Sequence, residues 1–257
     1  MGDTNINAKN ISSLINAKRI ESLNQTFGEG AAPPEARGTP RAPAAHLPRA
    51  RILFLASNPA GTTSLALDEE VRDIGQRLRL GQDRDLFELV PAFAVRRSEL
   101  IELLQRHRPT VVHFSGHGNP EGELIFKEAD GRPAPAPVEA LSDIFRVLAK
   151  GGLRCVVLNA CYSEPQARAI AKHVACAVGM GHAVSDDAAI TFASQLYSSL
   201  AYGSSIRDAF DLARAQLDLS RIPESQTPRI IFREGVNPDT WKLRSEVESQ
   251  VELEVTR

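Results

Sequence analysis

From Arg51 onward, short apolar runs alternate with segments whose apolar positions recur every three or four residues. The first pattern predicts buried strands and the second amphipathic helices. Ile52-Leu53-Phe54-Leu55-Ala56 reads as a strand, Leu65 to Leu80 as a helix, and Leu86 to Ala94 as a strand interrupted by Pro91. Ser98 to His107 reads as a helix with Leu100, Leu103 and Leu104 on one face, and Val111-Val112-His113-Phe114 as a strand. Glu123 to Phe126 suits one arm of a short hairpin, followed by an Ala/Pro loop at 133–137. Val138 to Leu148 is helical, Cys155 to Leu158 a strand, Pro165 to His173 a helix with Pro in its first turn, and Val174 to Met180 a strand. Ser185 is placed to cap a helix from Asp186 to Ala201, whose first-turn acids suit the helix dipole. Ile206 to Leu219 is a further helix and Arg229 to Phe232 a last strand. Continuous β-branched strands, each followed by a helix, predict an α/β fold with a mostly parallel sheet covered on both faces. Residues 51–233 are enough for one such domain.

The first 50 residues follow neither pattern. Ile6-Asn7-Ala8-Lys9-Asn10-Ile11-Ser12-Ser13-Leu14 is followed at once by Ile15-Asn16-Ala17-Lys18-Arg19-Ile20-Glu21-Ser22-Leu23, with seven of nine positions identical. In an α-helix nine residues turn about 900°, which would put equivalent side chains on opposite sides. As stacked β rungs the repeat is consistent, placing Ile on Ile, Leu on Leu and Asn on Asn. Two rungs bury no core alone, so residues 1–28 are expected to order only by stacking on other copies; the alternative is a disordered tail made by a short duplication. Residues 29–50 hold seven Ala and five Pro and read as a semi-extended linker. Residues 234–257 form an acidic tail with six acids and three bases.

The 257 residues carry a net charge of −2, which supplies no general attraction to nucleic acid or an anionic membrane. No apolar run approaches the roughly 20 residues of a membrane helix, and the polar N-terminus has no signal-peptide core. Three cysteines at irregular spacing argue against a disulfide framework and for the cytoplasm.

Sites in open α/β sheets form beyond the carboxyl ends of the strands. Two such ends carry reactive groups: Val111-Val112-His113-Phe114-Ser115-Gly116-His117-Gly118 and Val156-Val157-Leu158-Asn159-Ala160-Cys161-Tyr162-Ser163. Adjacent parallel strands would bring His117 and Cys161 to one edge, where a thiol beside an imidazole suffices for nucleophilic acyl transfer. The backbone N–H groups of Gly118 and Cys161 suit an oxyanion, while Ser115 and Asn159 are placed to orient the imidazole or line a substrate cleft. Asp186 and Asp187 fit a basic-selective specificity pocket or serve only as first-turn helix acids. Cys155 and Cys176 read as core, and His107, His173 and His182 as surface or structural. His113 and His117 lack helical metal-ligand spacing and there is no CxxC, so neither a metal nor another cofactor is expected. Ser57-Asn58-Pro59-Ala60-Gly61 lacks the glycine pattern of a phosphate loop and reads as a turn.

Four stretches together resemble a CHAT domain, of the caspase-like, separase-related clan of cysteine peptidases. They are Arg51 to Pro59; His113 to Gly118; Leu158 to Ser163; and Gly179-Met180 through Val184-Ser185-Asp186-Asp187-Ala188-Ala189 and Phe192 to Leu196-Tyr197, with Leu200 and Gly203. The resemblance spans 51–233. It implies a caspase-like fold, a His117–Cys161 dyad, and a regulated protease of bacterial defence or cell-death circuits that cuts a dedicated protein partner. Residues 1–28 resemble the short amyloid-signalling motifs of immune effectors, which implies an upstream sensor or like chains as partners and oligomerisation on activation. The competing expectations are a non-catalytic caspase-like adaptor that signals through its repeat, and a nucleotide-binding α/β regulator.

Overall fold

A computed structural model describes residues 49–243. The repeat of residues 1–28, most of the linker and the tail beyond Leu243 lie outside the described residues.

An eight-stranded sheet organises the domain. Its main path runs β2 (Phe87–Ala92), β1 (Ala50–Ser57), β3 (Val111–Gly118), β6 (Cys155–Asn159), β7 (Cys176–Met180) and β8 (Pro228–Phe232). The first five of these are parallel, and β8 closes one edge antiparallel to β7. A hairpin of β4 (Leu124–Lys127) and β5 (Pro133–Ala136) extends from the end of β3.

Because side chains alternate across a strand, each buried strand feeds two cores. Ile52, Phe54, Val111, Val157 and Val178 meet α1 (Leu67–Leu80), α5 (Asp186–Ala201) and α6 (Ile206–Leu219). Leu53, Leu55, Val112, Val156 and Leu158 meet α2 (Leu100–His107), α3 (Val138–Ala149) and α4 (Glu164–Ile170). The α/β reading with helices on both faces therefore holds. Ser185 caps α5 as expected, its Oγ accepting from the Ala188 N–H at 3.3 Å.

Three local expectations change. Pro91 does not interrupt β2: it sits within the strand opposite Phe54, at the sheet edge, where a missing N–H costs no ladder bond. Residues 133–136 are a strand, not a loop; Pro133 and Pro135 face outward while Ala134 and Ala136 are buried. β3 runs four residues past its apolar stretch, through Ser115-Gly116-His117-Gly118, because β1, β4 and β6 supply partners along it.

Strand order reverses between β1 and β3: the chain leaves β1 toward β2 on one side and builds β6, β7 and β8 on the other. Ligand crevices in open α/β sheets form at such points.

Candidate active site

Ser115 and Asn159 are register partners on β3 and β6, and His117 and Cys161 each follow two residues later. Cys161 stands in the turn from β6 to α4. The backbone there is held tightly: Tyr162 takes a left-handed φ of 55°, and its N–H donates to the His182 carbonyl at 3.2 Å. The buried Ser163 hydroxyl lies 2.7 Å from the Ala160 carbonyl and 3.0 Å from that of Leu158, and accepts from the Met180 N–H at 3.0 Å. It thereby ties the turn to both β6 and β7.

Gly118 lets the end of β3 press against this turn, since a Cβ there would stand 2.0 Å from the Cys161 carbonyl oxygen. The Asn119 N–H donates to the Glu123 carbonyl at 3.1 Å, which makes Gly118–Leu124 the non-hydrogen-bonded pair of the β3–β4 ladder. The Gly118 N–H is therefore directed away from β4.

His117 and Cys161 line one narrow cleft of about 30 Å³, with Glu70, Ser115, Asn159 and Asp186. The His117 Nε2 lies 2.9 Å from the Thr63 carbonyl oxygen. A carbonyl only accepts, so Nε2 carries the proton and Nδ1 is the nitrogen left with a lone pair. The Asn58 amide braces the loop that presents Thr63 when turned so that its nitrogen faces the Thr63 carbonyl at 3.3 Å and its oxygen the Leu65 N–H at 3.2 Å, the orientation that satisfies both groups. The Cys161 sulfur accepts from the Val184 N–H at 3.4 Å and lies 3.7 Å from the Val184 carbonyl. Among the described residues no hydrogen bond joins the imidazole to the thiol; the imidazole is held by the Thr63 carbonyl and the thiol by the Val184 backbone.

Ser115 and Asn159 line the cleft, and neither hydrogen-bonds His117. Both donate to the buried carboxylate of Glu70, Asn159 Nδ2 at 2.7 Å. That carboxylate also lies 2.8 Å from His113 Nε2, and His113 Nδ1 lies 3.1 Å from the Tyr197 hydroxyl. Burial holds the Tyr197 phenol protonated well above its ordinary range, with smaller contributions from Cys155, Glu70 and Cys176. Asp186 reaches the cleft, its Oδ2 accepting from the Ala66 N–H at 3.2 Å, whereas Asp187 is exposed and off the lining. Cys155 and Cys176 face each other across β6 and β7, buried, with sulfurs 3.3 Å apart. Among the described residues no cluster of three or more His, Cys, Asp or Glu suits a metal.

Neither Glu70 nor Thr63 is singled out by the sequence pattern, and His113 is weighed there only as a metal ligand. Glu70 had a signal. Leu67, Ile74 and Leu78 define the buried stripe of α1, and Glu70 shares it at helical spacing. An acid on an apolar stripe needs a buried partner. Thr63 acts through its carbonyl, which no side-chain pattern records.

A mostly parallel sheet, covered on both faces and carrying a thiol and an imidazole at neighbouring strand ends, defines a caspase-like α/β domain. The chain belongs to the CHAT-domain family, whose family model matches residues 30–242. A protein of Gillisia limnaea described as a probable protease is 28% identical over 153 residues, covering 59% of this chain and 27% of that protein. A Roc-COR-CHAT protease from an unknown prokaryotic organism is 27% identical over 179 residues, covering 67% of this chain and 17% of the relative. The chain thus spans about a quarter or less of the relatives it matches. Among solved structures, a secreted C11 cysteine protease of Bacteroides thetaiotaomicron, crystallised with an irreversible peptide inhibitor, superimposes with a TM-score of 0.52. That likeness covers 72% of this chain and 66% of the other at 10% identity, and it bears on the fold. Among the described residues no helix is long and apolar enough to cross a membrane.

Proposed function

We propose that this chain is a caspase-like cysteine endopeptidase with Cys161 as nucleophile and His117 as base. The observation that carries the reading is that both side chains line one cleft at the carboxyl ends of adjacent parallel strands. His117 Nδ1 takes the thiol proton while the Thr63 carbonyl keeps the other ring nitrogen protonated. The thiolate attacks the peptide carbonyl, and the backbone N–H groups of Gly118 and Cys161 hold the oxyanion. The imidazolium then protonates the leaving amine, and water, deprotonated by the same nitrogen, hydrolyses the thioester. Asp186 at the cleft supports a basic side chain on the substrate.

The substrate is a dedicated protein partner, and the setting is bacterial defence or cell-death signalling in the cytoplasm. Residues 1–28 recruit the chain to stacked copies or to an upstream sensor, and the linker lets protease domains gather at high local concentration. The test is proteomic mapping of new N-termini after inducing wild type and Cys161→Ala. Cleavages present only with wild type support the assignment; equal cleavage in both would sink it. A chain that never reacts with an electrophilic peptide probe, assembled or not, is the adaptor instead. For assembly, residues 1–28 should form fibrils with a cross-β signature that Ile15→Lys prevents; a stable helix by circular dichroism refutes stacking.

A further inference from the structure

One acid of helix α1 points inward. Glu70 is 2% exposed, and its carboxylate meets three side chains. Oε1 accepts from Asn159 Nδ2 at 2.7 Å and lies 2.8 Å from His113 Nε2; Oε2 accepts from the Ser115 hydroxyl. Ser115 and Asn159 are paired across β3 and β6, each two residues before a member of the reacting pair. Ser115 and His117, two apart on β3, share a face, and Asn159 ends β6 just before the turn that carries Cys161, so the carboxylate clamps the two strands where they lead into the reacting pair. The Asn159 amide is fixed further by the Ala189 carbonyl at 3.1 Å. His113, the next rung down, is held by Phe54, stacked at 5.0 Å, and by Tyr197.

We propose that Glu70 is a positioning residue for the His117–Cys161 pair, setting the separation and facing of the strand ends that carry imidazole and thiol. This rests on the dyad reading and deepens it. A carboxylate serving only as a core ion pair would need His113 alone. Glu70 instead binds both residues that precede the dyad, and together with them it lines the cleft.

The test uses the full chain and iodoacetamide, with carbamidomethylation of Cys161 followed by mass spectrometry between pH 5.5 and 9 and thermal melting recorded in parallel. Wild type should label at the acid end of this range, the acid limb of the profile, because the imidazole takes the thiol proton, and His117→Ala should abolish that limb. Glu70→Gln should slow the acid limb about tenfold or more, a part of the roughly 100-fold that a full 1 Å misplacement costs, and leave the rate at pH 9 unchanged. A Glu70→Gln chain that melts lower but labels like wild type when folded overturns the proposal. Should Glu70→Gln not fold, Ser115→Ala removes a single bond to the carboxylate. A smaller slowing of the same limb supports the clamp, and an unchanged profile overturns it. If His117→Ala labels like wild type, the dyad itself fails and the positioning role falls with it.

Discussion

A methyl group at Gly118 would enter the space of the Cys161 carbonyl, which is backbone and cannot step aside. Gly118→Ala should therefore push the ends of β3 and β6 apart. The expected outcome is a loss of at least about 100-fold in Cys161 labelling on the acid limb, on the scale of a 1 Å displacement. The other two thiols behave differently because they are buried. Under native conditions iodoacetamide should label Cys161 and spare Cys155 and Cys176, which react only after unfolding; peptide mass spectrometry checks this. Burial pushes the Cys176 thiol well above its ordinary 9.0, and the adjacent Cys155 sulfur adds to the shift. The unfolded chain releases that proton near 9.0 while the native chain keeps it, so this contribution to stability is complete below 9.0 and is lost as pH rises. Tyr197 acts in the same sense from 10.0 upward. The melting temperature should fall above pH 9, and Cys176→Ala should flatten the first part of that fall. At this scale the sequence displayed the reactive groups: His117, Cys161 and Gly118 stand at strand ends beside small residues. It did not display their supports. Glu70 lies 89 residues from Asn159 and Thr63 lies 54 from His117, separations that only the fold closes.

Elements with a strong period were legible in the chain. The α5 boundaries follow from a capping Ser, first-turn acids and a long apolar face. The elements that escaped depend on their neighbours. β5 has prolines at alternate positions and pairs only because β4 offers its edge; β3 extends because three strands flank it. The junction of β6, α4 and β7 depends on one hydroxyl. Ser163→Ala strands the Met180 N–H and frees two carbonyls, so it should cost about 1–3 kcal/mol, read from urea unfolding. The same variant should loosen the turn that carries Cys161 and slow its labelling, whereas the exposed Ser220→Ala should do neither.

Across the molecule, one sheet is the common wall of two cores, so neither face survives loss of the other. Far-UV circular dichroism and the exposure of Cys155 and Cys176 should be lost at the same urea concentration. Leu104→Ala on one face and Ile74→Ala on the other, both fully buried, should each cost about 2–5 kcal/mol in that single transition. The setting of Cys161 has a further property. It draws on the carbonyl of Thr63, the carboxylate of Glu70, the backbone of Val184 and the carbonyl of Ala189. These groups leave the ribosome in that order, and the last follows the thiol by 28 residues of synthesis. A nascent chain therefore presents its sulfur before the walls that hold it exist, and a chain broken off before α5 lacks the Ala189 carbonyl that fixes Asn159. The surroundings of the thiol are therefore assembled only once the domain is whole.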